Sequence, residues 1–179
     1  MSEAIFCKTV AELSIAIPDA FNDPKQRIFP ALLLLYSSMD VIASLSRPVA
    51  QEDTSGETFK AWIDTYMLPG SDLECTATEI WAARCGMLHT LSIESRLSRL
   101  GRARQICYVD RRSAVAKLQQ RINTAGKQLV VVPFRHYARS FLEGVFKFAK
   151  RVEKDPELQS VVYHHVGKLA VQINLKVPT

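Results

Sequence analysis

The stretch from Ile28 to Leu45 is the most apolar part of the chain, and it limits the fold more than any other feature of the sequence. A helix built from it would be hydrophobic on nearly every face, which is typical of a helix buried in a core or in a membrane. Pro30, Tyr36 and Asp40 interrupt the stretch, and its length is only just enough to cross a bilayer. We therefore predict that it is a buried core helix.

Capping residues mark where the helices of the first half begin. Asp23 followed by Pro24 is a cap and first-turn proline, and it predicts the start of the apolar helix. Residues 57–67 are expected to form a second helix. Thr76 and Glu79 match the capping box, in which the two side chains bond free backbone amides at a helix start. This pattern predicts a third helix that runs to about His89.

Two β-prone runs and two amphipathic patterns follow in the second half. The runs Ile106–Val109 and Leu129–Val132 predict two short strands that pair, with an amphipathic stretch, Ala114–Ile122, between them. Apolar residues at steps of three and four predict the last two helices, at about 134–152 and 158–173. We therefore predict a mainly α fold, a helical bundle with a small two-stranded β element in the C-terminal half.

The size and the cysteine usage bound the class of protein. The chain has 179 residues, 47% of them hydrophobic, which is enough to bury a sizeable core. We expect a single domain over residues 1–179, with a bundle core at about 19–100 and a β-prone and C-terminal helical part at about 104–175. The four cysteines have no short paired spacing, and the first twenty residues show no secretory signal. We expect a cytoplasmic protein that does not associate with membranes.

Arg84 and His89 are the most pointed functional signal in the sequence. They stand five positions apart in an otherwise apolar segment of the third predicted helix. Burying such polar groups without partners costs on the order of kilocalories per mole. The two side chains are therefore expected either to satisfy each other and their neighbours or to line a cleft.

The segment Arg84-Cys85-Gly86-Met87-Leu88-His89 resembles the signature of the HEPN family (higher eukaryotes and prokaryotes nucleotide-binding domain), helical-bundle proteins that carry an arginine followed by four to six residues and a histidine. The order of elements is similar as well: a long apolar helix with one acidic residue, Asp40, then a second helix, then the motif helix near mid-chain. The resemblance covers the first half to two-thirds of the chain.

The activity that the resemblance implies is metal-independent endoribonuclease chemistry, in which an RNA 2′-hydroxyl attacks the adjacent phosphate. A histidine suits this step because imidazole ordinarily titrates near neutral pH and can take or give a proton. An arginine suits it because a guanidinium can hold the phosphate and stabilise the charge that gathers on it. On this reading Arg84 and His89 are catalytic and Asp40 orients one of them, with no metal and no cofactor.

The resemblance also implies partners. Five residues at about 100° each place Arg84 and His89 about 140° apart on an ideal helix, so a shared site needs a distortion, a helix end near His89, or two subunits. The family's usual solution is a homodimer with a composite site. A toxin or defence role would follow, with RNA as the target and a nucleotidyltransferase-like antitoxin as a candidate partner.

Basic residues follow the motif closely. The chain has a formal net charge of +5 and a pI of about 9.1, so polyanions are attracted to it. We interpret four arginines as an RNA-binding rim beside the motif, with a solvated surface as the equal alternative: Arg96, Arg99, Arg102 and Arg104.

Other readings of the motif stay open. Arg84 would be structural if it paired with Glu79, Asp40 or a carboxylate elsewhere while His89 only ended a helix, where a cation is favoured. Cys85 and His89, four apart on one helical face, could form a thiol and base pair. Because catalytic members commonly have a polar residue where Cys85 stands, a non-catalytic HEPN-like module that binds RNA, a nucleotide or a protein partner is the main alternative. A helical scaffold with no nucleic-acid role is the third.

Overall fold

The structure, a computed structural model, describes residues 2–22, 28–110 and 112–173. These residues form eight α-helices and two strands. The helices and strands, in chain order, are α1 (Ser2–Phe21), α2 (Ile28–Leu45), α3 (Gly56–Trp62), α4 (Ala77–Thr90), α5 (Arg96–Arg99), β1 (Gln105–Val109), α6 (Val115–Thr124), β2 (Leu129–Pro133), α7 (Phe134–Lys154) and α8 (Pro156–Ile173). The chain is thus mainly helical with a small β element in its C-terminal half, as predicted.

The N-terminal helix α1 was not anticipated. Its sequence has only a weak apolar periodicity, and it buries few side chains, chiefly Phe6, Ile17 and Phe21, against α2, α7 and α8. Tertiary contacts rather than local pattern therefore hold it. The helix start predicted at Asp23 and Pro24 lies outside the described residues, and α2 is helical from Ile28.

Helix α2 is the centre of the bundle. It contacts α1, α3, α4, α7 and α8, and Leu35, Met39 and Ile42 on it are fully buried. By length and composition α2 could cross a membrane, but half of its residues are buried inside the protein. Burial of apolar area at roughly 25 cal/mol per Å² makes this helix a main contributor to the core.

The second and third predicted helices are present with one irregularity. Helix α3 is capped by Ser55, whose hydroxyl accepts the amide of Thr58, and the helix continues into a π-helical turn, Ile63–Met67. Helix α4 begins with the predicted capping box: the amide of Thr76 donates to Glu79 (2.8 Å), and the amide of Glu79 donates to the Thr76 hydroxyl (3.2 Å). The box fixes the start of the helix that carries Arg84 and His89.

The two strands are parallel neighbours. Ile106 pairs with Val130 and Tyr108 with Val132, and α6 forms the connection between the strands. Parallel strands cannot be joined by a tight turn, so a crossover element of this length is required. A two-stranded sheet is marginal alone; here α4 covers β1, and α7 covers β2.

Helices α7 and α8 complete the core. The apolar stripe of α7 includes Tyr137, Phe141, Val145 and Phe148, all fully buried. Helix α7 packs on α1 and on the π-helical turn, and α8 packs on α1, α2 and α7. The last helices therefore close the bundle formed by the first half of the chain.

Candidate functional site

Arg84 on α4 forms an ion pair with Asp40 on α2. Its Nε donates to both carboxylate oxygens, at 3.0 and 2.8 Å, and its Nη2 also bonds Oδ2. Both side chains are largely shielded, with 17% of Arg84 and 25% of Asp40 exposed. Partial burial by itself lowers the pKa of Arg84, but the hydrogen bonds and charge of Asp40 outweigh it and raise the pKa. The guanidinium is therefore a fixed charge in a fixed position.

His89 lies beside the remaining arm of that guanidinium. Arg84 Nη1 is 3.3 Å from Nε2 of His89, and His89 itself is exposed. An arginine can only donate, so in this contact Nε2 of His89 stands in the acceptor position. One guanidinium thus joins the carboxylate of α2 to the imidazole of α4, and the three residues singled out in the sequence form one cluster within a single chain.

The end of α4 allows this contact despite the helical offset. Helix α4 stops one residue after His89, and Leu91 adopts a left-handed conformation with φ of 50°. Leu91 is the only non-glycine residue with positive φ in the described part of the chain. Its amide bonds Met87 O and the amide of Ser92 bonds Gly86 O, both at 3.2 Å. We expected that a shared site for Arg84 and His89 would need a distortion, a helix end near His89, or two subunits. The structure has the helix end.

Gly86, inside the motif, lets the following loop cross α4 closely. A Cβ at this position would lie 2.5 Å from the carbonyl oxygen of Ser92 and 3.0 Å from that of Glu94. Both are backbone atoms, which have little freedom to yield. The absence of a side chain at Gly86 therefore allows the 92–94 segment to pass this close to α4.

Trp81 is a site residue that the motif did not reveal. The Arg84 guanidinium carbon lies 5.0 Å from the centre of its ring, within cation–π range. The ring also packs against Phe59, with centroids 5.2 Å apart, and a Cβ on Gly56 would meet it at 2.9 Å. Trp81 and Arg84 are three positions apart, which places both on one helical face. This spacing could have predicted their contact from the sequence.

Cys85 does not have the features of a nucleophile. Burial raises the pKa of its thiol, and the neighbouring Arg84 charge and hydrogen bond only partly oppose this effect. A reactive cysteine needs a lowered pKa and an environment that stabilises the thiolate. The arrangement therefore favours Arg84 over Cys85 as the partner of His89.

The four arginines of the predicted rim have different surroundings. Arg104 is tied to the start of α4: it bonds Glu79 at 2.5 and 3.1 Å and donates to the carbonyl of Glu74 at 2.9 Å. Burial raises the pKa of Glu79, but bonds from Arg104 and the Thr76 amide lower it further than burial raises it. Arg104 is thus engaged in holding α4, whereas the other three are exposed.

Those three arginines lie on or near α5, which contacts α4. Arg99 is within 3.9 Å of Glu94, an exposed pair, and Arg96 and Arg102 are also exposed. Glu79 pairs with Arg104 and is not the partner of Arg84, whereas the pair of Arg84 and Asp40 is one that the structural reading of the motif also expected. The structure therefore leaves three exposed arginines beside the motif helix.

No group of three or more histidine, cysteine or acidic side chains placed to hold a metal ion occurs in the described ranges. In comparisons with known proteins, no family model, no curated protein and no solved structure matches the chain.

Proposed function

We propose that this protein is a metal-independent endoribonuclease of the HEPN type, with Arg84 and His89 as its catalytic residues and Asp40 as the residue that positions Arg84. The observation that carries the proposal is the contact between Arg84 Nη1 and His89 Nε2, together with the ion pair that holds the same guanidinium on Asp40. An exposed imidazole can take the proton of a 2′-hydroxyl, and a fixed cation beside it can stabilise the charge that develops on the phosphate.

In the proposed step an RNA phosphate enters beside Arg84 and replaces the contact between Arg84 Nη1 and His89 Nε2. Nε2 of His89 then accepts the proton of an RNA 2′-hydroxyl, the 2′-oxygen bonds to phosphorus, and the bond from phosphorus to the 5′-oxygen breaks. The leaving 5′-oxygen takes up a proton from solvent water, the protonated His89 returns its proton to solvent, and a 2′,3′-cyclic phosphate remains on the other fragment. Nη1 of Arg84 is placed to bond a phosphate oxygen as charge develops on it. The exposed Arg96, Arg99 and Arg102 supply further positive charge for the RNA backbone.

A homodimer with a composite site is part of the proposal. Three apolar side chains near the motif are more than half exposed: Leu91 (60%), Ile93 (60%) and Leu100 (56%). Exposed apolar groups clustered along one segment are typical of protein contact surfaces. Two copies that meet through this segment would bring two His89 side chains towards one cleft. The resemblance to the HEPN family leads us to propose also a toxin or defence role with a nucleotidyltransferase-like antitoxin as partner, in the cytoplasm.

The decisive experiment is cleavage of a mixed-sequence single-stranded RNA in the presence of a chelator. Wild type is compared with His89→Ala and with His164→Ala, which removes another exposed histidine, on α8. We expect cleavage with 2′,3′-cyclic phosphate ends by wild type and His164→Ala, and none by His89→Ala. Equal circular dichroism spectra establish that all three are folded.

The alternative function, a non-catalytic module that binds RNA, a nucleotide or a protein partner, is favoured by Cys85 in place of a polar residue. It predicts RNA affinity without cleavage, lost in Arg84→Ala and kept in His89→Ala. The absence of both cleavage and salt-dependent RNA affinity in the wild type would contradict the ribonuclease and the RNA-binding module alike.

The dimer is tested separately by sedimentation. Ile93→Glu places a charge in the proposed contact, and Phe146→Glu places one on an exposed apolar residue of α7. We expect only Ile93→Glu to be monomeric and to lose cleavage. A wild type that sediments as a monomer at all concentrations would rule out the composite site.

A further inference from the structure

Trp81 lies against the guanidinium that the proposed reaction uses, although it has no part in that reaction as described. The Cζ atom of Arg84 is 5.0 Å from the centre of the indole ring, within the range of a cation–π contact. Both residues belong to α4 and are three positions apart, so they share one face of the helix. The ring therefore bounds the guanidinium on one side.

The hydrogen bonds to Asp40 leave one rotation of this guanidinium open. Nε and Nη2 of Arg84 both bond the carboxylate, and these two nitrogens form one edge of the planar group. A plane that is held along one edge can still turn about that edge. Because a hydrogen bond weakens little while its N–H···O angle stays above roughly 150°, turns of up to roughly 30° are open, and they move Nη1 by roughly 1 Å. Asp40 alone therefore does not determine where Nη1 lies.

The indole ring restricts this turn. Because the guanidinium lies over the ring, a turn in one direction is blocked by contact with Trp81, and a turn in the other loses the attraction between the cation and the negative face of the ring. Asp40 thus fixes one edge of the guanidinium, and Trp81 limits the turn of its plane. Together they place Nη1 at 3.3 Å from Nε2 of His89.

Trp81 itself has little freedom to move. Its ring packs on Phe59, which is fully buried, with centroids 5.2 Å apart. A Cβ at Gly56 would lie 2.9 Å from Cε2 and 3.0 Å from Cζ2 of the indole, so the first residue of α3 lies directly against the ring. The ring is therefore supported by α3 as well as by its own helix, and a side chain at position 56 would displace it.

We propose that Trp81 is a positioning residue for Arg84. Its indole ring holds the plane of the guanidinium, and this keeps Nη1 directed at the scissile phosphate of an RNA substrate. Trp81 contacts no reacting atom and acts only through Arg84. The ring matters for the rate because a misplacement of about 1 Å can cost about a hundredfold. This consequence rests on the proposed ribonuclease function, whereas the restraint on the guanidinium is independent of it.

The first test compares RNA cleavage by Trp81→Leu, Trp81→Phe and Trp62→Phe. Leucine keeps an apolar side chain but has no ring, whereas phenylalanine keeps an aromatic face. Trp62→Phe changes the other tryptophan of the chain and controls for a loss of packing, since Trp62 is buried and contacts the rings of Phe141 and Phe148. Rates are expressed per folded molecule, with the folded fraction measured by circular dichroism.

We expect Trp81→Leu to lower kcat about ten- to hundredfold and to change KM less than about threefold, because Arg84 acts on charge that develops in the transition state. Trp81→Phe and Trp62→Phe should retain kcat within about threefold, since both keep an aromatic face over Arg84. A merely structural role of Trp81 predicts lower stability with an unchanged kcat per folded molecule. That result, or an equal loss of kcat in Trp81→Leu and Trp81→Phe, would overturn the proposal.

The second test does not depend on cleavage. The heteronuclear NOE of the Arg84 Nε–Hε bond reports how firmly the guanidinium is held on the picosecond to nanosecond timescale, and the signal is assigned by its absence in Arg84→Lys. We expect the NOE to fall in Trp81→Leu and to stay unchanged in Trp62→Phe. An NOE unchanged in Trp81→Leu rules out the positioning role whether or not the wild type cleaves RNA, whereas a wild type that does not cleave RNA refutes the proposed function alone.

Gly56→Ala tests the support of the ring by α3. The added Cβ would displace the ring without changing Trp81 or Arg84, so kcat should fall as in Trp81→Leu, by about threefold or more. Gly167→Ala on α8 is the control, since its Cβ would meet no atom closer than 4.0 Å. A kcat unchanged in Gly56→Ala would contradict the support of the ring on which the proposal depends.

Discussion

The Arg84 guanidinium is 3.3 Å from the His89 imidazole while two of its other nitrogens bond Asp40. Arg84 thus connects two helices, α2 and α4, that are far apart in sequence. Asp40 therefore has two expected effects: it stabilises the folded protein, and it orients the Arg84 guanidinium. Measurements of stability and of RNA cleavage on the same variants separate these effects.

Asp40→Asn tests the structural consequence. It keeps the shape of the side chain but leaves the half-buried Arg84 charge without its counterion, so we expect a loss of about 1–3 kcal/mol in the free energy of unfolding. Urea denaturation measures it. Glu57→Gln, which breaks the exposed pair of Glu57 and Lys60, should cost less than about 1 kcal/mol. Equal effects of the two variants would contradict a fixed position of the guanidinium.

Gly86→Ala should destabilise the protein, contrary to the usual effect of alanine in a helix. The added Cβ would meet the Ser92 carbonyl oxygen at 2.5 Å, and overpacking of this kind costs about 1–3 kcal/mol. Gly167→Ala is the matched control, since its Cβ would have no neighbour closer than 4.0 Å. There we expect a gain of about 0.5–1 kcal/mol from helix propensity. Thermal denaturation of both variants compares them; stabilisation by Gly86→Ala would mean that the 92–94 loop does not cross α4 at this distance.

Leu91→Gly should stabilise the fold. The left-handed conformation costs a non-glycine residue roughly 1–2 kcal/mol, which exceeds the roughly 0.5–1 kcal/mol of chain entropy that glycine adds to the unfolded state. A net gain of up to about 1 kcal/mol is expected from chemical denaturation. Leu100, equally exposed but with φ of −85°, is the control, and Leu100→Gly should be destabilising. The prediction fails if both leucines respond in the same direction.

His165 should make the stability of the protein depend on pH. Its side chain is buried, and burial lowers the pKa of His165 although the bond to Arg47 O at 3.0 Å opposes this. The unfolded chain therefore binds a proton at higher pH than the folded chain does. This contribution to stability is present above the ordinary histidine pKa of about 6.5 and is lost as the pH falls through the lowered folded value.

Urea denaturation between pH 7.5 and 5 measures this effect. We expect His165→Gln, which keeps a donor for the Arg47 carbonyl but does not titrate, to reduce the loss of stability on acidification. His164→Gln replaces the exposed neighbour and should retain the wild-type slope, because His165 is intact. A slope unchanged in His165→Gln would assign the pH dependence to other groups.

Local sequence determined most of the helices and both strands of this protein. The apolar run of α2, the capping box at Thr76 and Glu79, and the stripe of α7 act over a few residues, so they are readable without a structure. The pairing of the two β-prone runs was predicted as well, and the sequence position of Arg84 and His89 in one helix fixed their separation along it. The local sequence pattern did not predict α1, because this helix is stabilised by its packing on α2, α7 and α8 and not by a strong apolar periodicity.

Tertiary structure decided which partners these residues have. Asp40 and Glu79 were both candidate partners of Arg84. Because α2 packs on α4, Arg84 pairs with Asp40, and Glu79 pairs with Arg104 from a later segment of the chain. The same packing separated Arg104 from the other three arginines of the predicted rim. Such outcomes depend on contacts between segments 25 to 44 residues apart, whose geometry is set by the whole core and not by any local pattern.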